Sequence, residues 1–355
     1  MAIKRITRQV NTKAKAFRRP FTRRSILKGG LGVGAGLADW TFGIVGRAAA
    51  APITMRFGSD SPIGAPHTKS ALVLKELVES RTAGRIEVVI FPDSQLGPNG
   101  VMTNSVKAGT LDAVVTDASF LSTAVPEVDV FNLPFLYKDV EQVLDFANGP
   151  VGTALKPKIN EAFACEVLGF ATDGSRNLWN SKRPVRTPAD ISGLKISVQP
   201  SKVQRDAILA FGGIPTVIEF NALYTSVQTG LIDGGSTSPA GLIDSKLYQV
   251  TKYMTLTNHY CVLSVLVVSK KFMDKLSPQD QAVVRMAGQP AVDAQVAEVL
   301  KSQKSNLAFL AEKGIQIFPM QDPKAFSDKM DAIYKEAAQR IGSDIVDQAR
   351  SLAAR

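Results

Sequence analysis

Histidine and cysteine are scarce in this 355-residue chain: His67 and His259, Cys165 and Cys261, and no others. Neither histidine stands at metal-ligand spacing from a cysteine or carboxylate partner, so no local metal motif is written in the chain. No Gly-x-Ser-x-Gly turn and no Gly-x-x-x-x-Gly-Lys-[Ser/Thr] loop occurs, which removes the commonest nucleophile elbow and phosphate cradle. A serine and a histidine brought together from distant positions are not excluded by spacing. Two cysteines allow one disulfide at most; among apolar neighbours they read as buried free thiols rather than a bridge. No run after the leader reaches the ~20 apolar residues of a spanning helix, so the mature chain is expected to be soluble.

The formal charge is +10, from 42 basic and 32 acidic residues. Position removes most of its meaning. Residues 1–50 hold eleven of the basic residues and one acid, Asp39, which leaves 31 of each sign for residues 51–355. The body is neutral and carries no run of like charge, so nucleic acid is not an expected partner.

Residues 1–50 read as a targeting segment. Thr22-Arg23-Arg24-Ser25-Ile26-Leu27-Lys28 precedes a weakly hydrophobic, glycine-rich stretch, and Ala48-Ala49-Ala50 supplies the small residues a signal peptidase accepts. This is the pattern of a twin-arginine (Tat) export signal, with Ala51 as the first mature residue and the periplasm as destination. Gly30-Leu31-Gly32-Val33-Gly34-Ala35 within it nominally resembles a dinucleotide fingerprint. A fingerprint needs a preceding strand, and here a polybasic segment stands in that place.

From residue 53 onward strand and helix patterns alternate, which predicts layered α/β structure. Strands are expected at 53–57, 86–91 and 111–116, with helices at 67–81 and 99–108 between them. The middle of the chain predicts strands at 167–172, 177–180, 194–198, 216–218 and 231–233, and helices at 201–211 and 221–229. Ser277-Pro278 opens a long helical region, serine as N-cap and proline in the first turn. Gly288 and Pro290 are expected to kink it, and Gly314 to end it before a strand at 315–318. Two amphipathic helices close the chain. Two such lobes, with the chain crossing between them more than once, would leave a cleft suited to a small ligand.

Arg176 is the leading candidate for chemistry. It follows Asp173-Gly174-Ser175 at an expected strand end, where a guanidinium can fork onto a carboxylate through two parallel hydrogen bonds. A surface arginine paired with a structural acid would look the same in sequence. The segment 221–235 reads first as architecture: helix, glycine stop, strand, glycine turn.

Gln95-Leu96-Gly97, Leu133-Pro134-Phe135-Leu136, Gly174-Ser175-Arg176, Pro188-Ala189-Asp190-Ile191-Ser192-Gly193-Leu194-Lys195-Ile196 and the stretch from Tyr224 to Gly234 occur in one order and spacing. Together they resemble the solute-binding subunit of tripartite ATP-independent periplasmic (TRAP) transporters, the DctP family, over residues 53–320. The resemblance implies a two-lobe, type II-like periplasmic-binding fold with an interlobe cleft and a long hinge helix. It places lobe I at 51–173 plus 262–301 and lobe II at 174–261 plus 302–355. It implies a monomer without enzyme activity or cofactor that delivers a small solute to a permease of small and large membrane subunits. Arg176 becomes the ligand-carboxylate arginine.

One departure bears on the solute. Where the family usually reads Gly-Leu-Lys-Ile-Arg-Val, a second carboxylate-binding arginine is replaced by Ser197, and the acid or amide pair after Asp-Gly-x is Ser236-Thr237. Ser197, Gln199, Ser236 and Thr237 would offer neutral hydrogen bonds. Phe220, Tyr224 and Trp179 are expected as an apolar wall, and Asp60, Asp117 and Phe120 as the facing side. The expected ligand is a small polar organic solute, a monocarboxylate first and a neutral polyol-like or amide-bearing molecule second. A Tat-exported redox enzyme and a periplasmic ligand sensor are the competing functions.

Overall fold

The computed structural model describes residues 51–353; the export signal expected at 1–50 lies outside them. The described residues cluster as one unit. Nine strands, among the described residues, form one mixed sheet: β1 (Ile53–Gly58), β2 (Ile86–Phe91), β3 (Ala113–Asp117), β4 (Cys165–Asn180), β5 (Lys195–Val198), β6 (Ile214–Val217), β7 (Gly234–Thr237), β8 (Tyr253–Ser269) and β9 (Gln316–Pro319). Their order is β2-β1-β3-β8-β4-β7-β5-β6, with β9 beside β8. At one end β1 pairs parallel with β2 and β3; at the other, β5 pairs parallel with β6 and β7. The antiparallel pair β4–β8 joins the two ends.

The first half of the sequence pattern folds as read. The helix Pro66–Arg81 buries Ala71, Leu74 and Val78 against Met55, Phe57, Ile86 and Val88, and the glycine at 84 turns the chain out with φ 77°. Strand β2 and the helix Asn99–Ala108 match their expected spans.

Three differences are informative. The two strands expected at 167–172 and 177–180 are one continuous strand, β4, whose pairing with β8 slips at Val167/Gly169, Thr172/Gly174 and Arg176/Leu178. Such bulges break the alternation that periodicity relies on. The strand expected at 231–233 begins at Gly234 instead. Leu231 is exposed, while Gly234 lies so close to β4 that a Cβ would come within 2.2 Å of the Trp179 carbonyl oxygen. The long helix runs unbroken from Pro278 to Glu312, with Ser277 capping it as expected and Pro290 carried inside it. Gly288 is there for contact: a Cβ at this position would meet the Leu168 carbonyl oxygen at 2.8 Å.

That 35-residue helix is about 50 Å long and reaches two cores. Its first half (Val284, Ala287, Ala291, Val292) packs against the helix Pro66–Arg81 and β4 in the core that also holds β1–β3 residues, and Leu310 near its end packs with Trp179, Leu223 and Met254. A third core continues through the helices 140–163 and the C-terminal segment, where Phe326, Ile333 and Ile341 are buried. No helix among the described residues is long and apolar enough to cross a membrane. Cys165 and Cys261 are buried and unbridged.

Candidate functional site

The carboxyl ends of the parallel strands converge on one cavity. In parallel α/β sheets these ends are where backbone amides and loop side chains meet over an open crevice. Asp60 and Ser61 follow β1, Asp117 ends β3 and Phe120 follows it; Val198 and Gln199 leave β5, Ile218 and Phe220 leave β6, and Thr237 ends β7. Asp173 and Arg176 enter from β4. They are three residues apart, yet both reach the cavity because the Thr172/Gly174 bulge resets the alternation. The space among these residues, with the open solvent at its mouth counted in, is about 530 Å³.

Arg176 is 9 % exposed. Its Nε donates to the Ser236 hydroxyl at 3.0 Å, and a terminal nitrogen donates to the Ser236 carbonyl oxygen. The guanidinium carbon lies 5.7 Å from the centre of the Tyr260 ring. Among the described residues no carboxylate comes within ion-pair distance of it. A buried guanidinium hydrogen-bonded only by neutral groups can take an anion, since charge removed from water is stabilised by a counter-charge. Burial, with Arg176 adding to it, holds nearby His259 neutral with its pKa down at about 3, so no second cation stands there.

Three carboxylates surround His67 in the same cavity. Its Nδ1 is 3.4 Å from Asp60 Oδ1, and its Nε2 is 3.7 Å from both Asp117 Oδ1 and Asp173 Oδ1. Burial disfavours the imidazolium, but Asp173, Asp60 and Asp117 outweigh it and raise the His67 pKa to about 10. His67 is therefore a buried cation at neutral pH. Asp60 also accepts from Asn99 Nδ2 at 3.1 Å; Asp117 accepts from Gln199 Nε2 at 2.7 Å and from Ser264 Oγ at 3.3 Å. Among the described residues no group is arranged to hold a metal ion.

Two contacts span the cavity. Gln199, after β5, donates to Asp117 and accepts from Ser119 Oγ at 2.9 Å. Glu219, after β6, lies against Gly100 at the start of the helix Asn99–Ala108, where a Cβ would come within 2.9 Å of its Oε1.

Of the residues singled out in the sequence, Arg176, Ser197, Gln199, Phe220, Asp60, Asp117, Phe120 and Thr237 line the cavity. Ser236 does not line it but holds Arg176 from behind. Two aromatic residues expected in the apolar wall are elsewhere. Trp179 is fully buried behind Gly235, where a Cβ would meet both its ring at 2.7 Å and Ser197 Oγ at 2.1 Å, so it backs the wall without facing the cavity. Tyr224 points away and donates to Gln249 Oε1 at 3.3 Å; Leu223, one position earlier on the same helix, is the lining residue. Neighbouring helical residues face directions about 100° apart, so a one-position error moves the side chain out of the site. His67 and Asp173 were missed. The available signals were the rarity of histidine, the place of His67 at a helix start after a strand end, and the acid three residues before Arg176.

Residues 57–340 match the family model for the bacterial extracellular solute-binding protein, family 7 (DctP). The chain belongs to this family. A relative from Escherichia coli strain K12, the 2,3-diketo-L-gulonate-binding periplasmic protein YiaO, is 30 % identical over 82 % of this chain and 90 % of its own length. Among solved structures, a TRAP periplasmic solute-binding protein from Polaromonas sp. JS666 bound to D-erythronate superposes with a TM-score of 0.81 at 30 % identity, covering 84 % of this chain and 98 % of its own. Another, from Sulfurospirillum deleyianum with bound succinate, reaches 0.82 at 25 % identity, covering 85 % and 100 %. The fold is thus the two-lobe, type II-like fold of TRAP solute-binding proteins, and this family 7 member is a transporter subunit rather than an enzyme.

Proposed function

We propose that this protein binds a small organic acid in the periplasm, with the ligand carboxylate on Arg176, and delivers it to a permease of small and large membrane subunits. The observation that carries the reading is the burial of Arg176 without a carboxylate partner. Related proteins bound to D-erythronate or succinate, and one named for 2,3-diketo-L-gulonate, support an acid as the guest. With Ser197 in place of a second arginine, a hydroxylated monocarboxylate suits the cavity better than a dicarboxylate. A charge-assisted hydrogen bond contributes about 1.5–3 kcal/mol while micromolar affinity needs about 8, so neutral contacts from Ser197, Gln199 and Thr237 must supply much of the rest.

In this reading lobe I is 51–173 with 262–301, lobe II is 174–261 with 302–355, and closure buries the ligand between them in a monomer. Ligand drives closure only through its higher affinity for the closed state. The leader at 1–50 exports the folded chain by the twin-arginine route; replacing Arg23 and Arg24 by lysine should leave it in the cytoplasm.

The test is a thermal-shift screen of organic acids, because a ligand that binds only the native state raises the Tm. Hydroxylated monocarboxylates should shift the wild type and fail to shift Arg176→Ala. An acid that binds Arg176→Ala within about threefold of wild type would remove Arg176 from the carboxylate role, since losing such an anchor costs about tenfold or more.

A further inference from the structure

We propose that Asp173 selects the ligand by accepting a hydrogen bond from a donor carried beside the ligand's carboxylate, which makes the guest a hydroxy or amino acid rather than a bare one. This rests on the reading of Arg176 as the carboxylate anchor. Both residues line the cavity from the same strand. Asp173 is the least satisfied acid there. Its Oδ2 is 3.5 Å from Ser238 Oγ and its Oδ1 is 3.7 Å from His67 Nε2, whereas Asp60 and Asp117 have partners at 3.1 and 2.7 Å. Its side chain keeps 22 % exposure against 9 % and 11 % for those two. An ionised carboxylate can accept about four hydrogen bonds, and leaving that capacity unused in a closed cleft is costly.

The charges facing Asp173 set the sign of the effect. They are Asp60 after β1, His67 on the helix Pro66–Arg81, Asp117 on β3, Arg176 on β4 and Asp244 on the helix Pro239–Asp244. A bare carboxylate on Arg176 cancels the one cation that Asp173 shares a strand with and brings a further negative charge into the cavity. A hydroxyl or ammonium on the neighbouring carbon offsets that charge at Asp173. Burial, aided by Asp117 and Asp60 and opposed by His67 and Arg176, raises the Asp173 pKa to about 6. A donor-bearing acid favours the ionised carboxyl, so its binding releases a proton and tightens as pH rises from about 5 to about 7. A bare acid favours the protonated carboxyl, and its binding weakens over the same range.

The experiment compares D-erythronate, 2-aminobutanoate and butanoate by calorimetry on the full protein and on Asp173→Ala, at about pH 5 and about pH 7. The expected result is a preference of about tenfold or more for one of the donor-bearing acids over butanoate, rising with pH and lost in Asp173→Ala. Erythronate alone identifies a hydroxy acid, 2-aminobutanoate alone an amino acid. Butanoate binding as well as either, or a preference that persists in Asp173→Ala, overturns the role of Asp173 while leaving Arg176 in place. The wild-type pH profile decides the matter even should the variant fold poorly, a falling affinity for the preferred acid counting against the proposal. Binding of none of the three, with no Arg176-dependent Tm shift in the wider screen, defeats the acid reading itself.

Discussion

Gln199 Nε2 stands 2.7 Å from Asp117 Oδ2, tying the end of β5 to the end of β3 across the cleft. Its oxygen accepts from Ser119 and faces the amide of Gln204, so the side chain is used at both ends. One amide thus links the two strand ends as well as lining the cavity.

Gln199→Ala should therefore open the protein without unfolding it. A hydrogen bond to a charged group contributes about 1.5 kcal/mol or more, which corresponds to a loss of roughly tenfold in ligand affinity with little change in Tm of the free protein. Calorimetry with the best organic acid from the screen measures the first, and small-angle scattering should show the free variant more expanded than wild type. Unchanged affinity would mean that the bridge is incidental to closure.

Gly100→Ala acts on the second contact. A Cβ at Gly100 would sit 2.9 Å from Glu219 Oε1 and 3.2 Å from the Phe120 ring. The φ of this glycine is not in the left-handed region, so the cost falls on the approach of the two walls and not on the backbone. Affinity should fall severalfold while the unfolding midpoint of the unliganded protein stays close to wild type.

His67 makes stability depend on alkaline pH. Its pKa is raised in the folded state, so its contribution is fully present below about 6.5 and is lost as pH rises through about 10. Asp173 acts in the same sense at lower pH: its raised pKa means a contribution lost as pH rises from about 3.8 through about 6. Urea unfolding of wild type and His67→Gln should therefore differ by about 3 kcal/mol at neutral pH and converge toward pH 10. A difference that stays constant with pH would show that His67 is neutral in the fold.

The thiols should be silent. Burial pushes the Cys165 pKa up to about 12 and that of Cys261 up to about 11, with Ser175 opposing the latter through a hydrogen bond. Thiolate is the reactive form, so a thiol reagent at neutral pH should label neither in native protein and both in denaturant. Mass spectrometry counts the adducts.

Much of the architecture was readable along the chain because its elements are local. The span Ile53–Gly58 and the helix Asn99–Ala108 are set by apolar periodicity within a few residues. Ser277-Pro278 announces the long helix for the same reason. Arg176 could be nominated from its neighbours and from the family pattern, and Ser197 from a departure from that pattern.

Tertiary structure alone decided what surrounds those residues. The union of β4 across Gly174 depends on pairing with β8, about ninety positions away, and bulges hide it from any period-two reading. Whether Arg176 had an acid of its own could not be told from sequence, because a counter-charge is found in space and not at a spacing. The His67–Asp60–Asp117–Asp173 cluster gathers residues from β1's end, a helix start, β3's end and mid-β4. Each looks ordinary in its own segment, and only burial side by side shifts the proton affinities of Asp60, His67 and Asp173. Trp179 and Tyr224 leave the wall expected of them, and Leu223 lines the cavity, for the same reason: the facing of a side chain follows from what packs behind it.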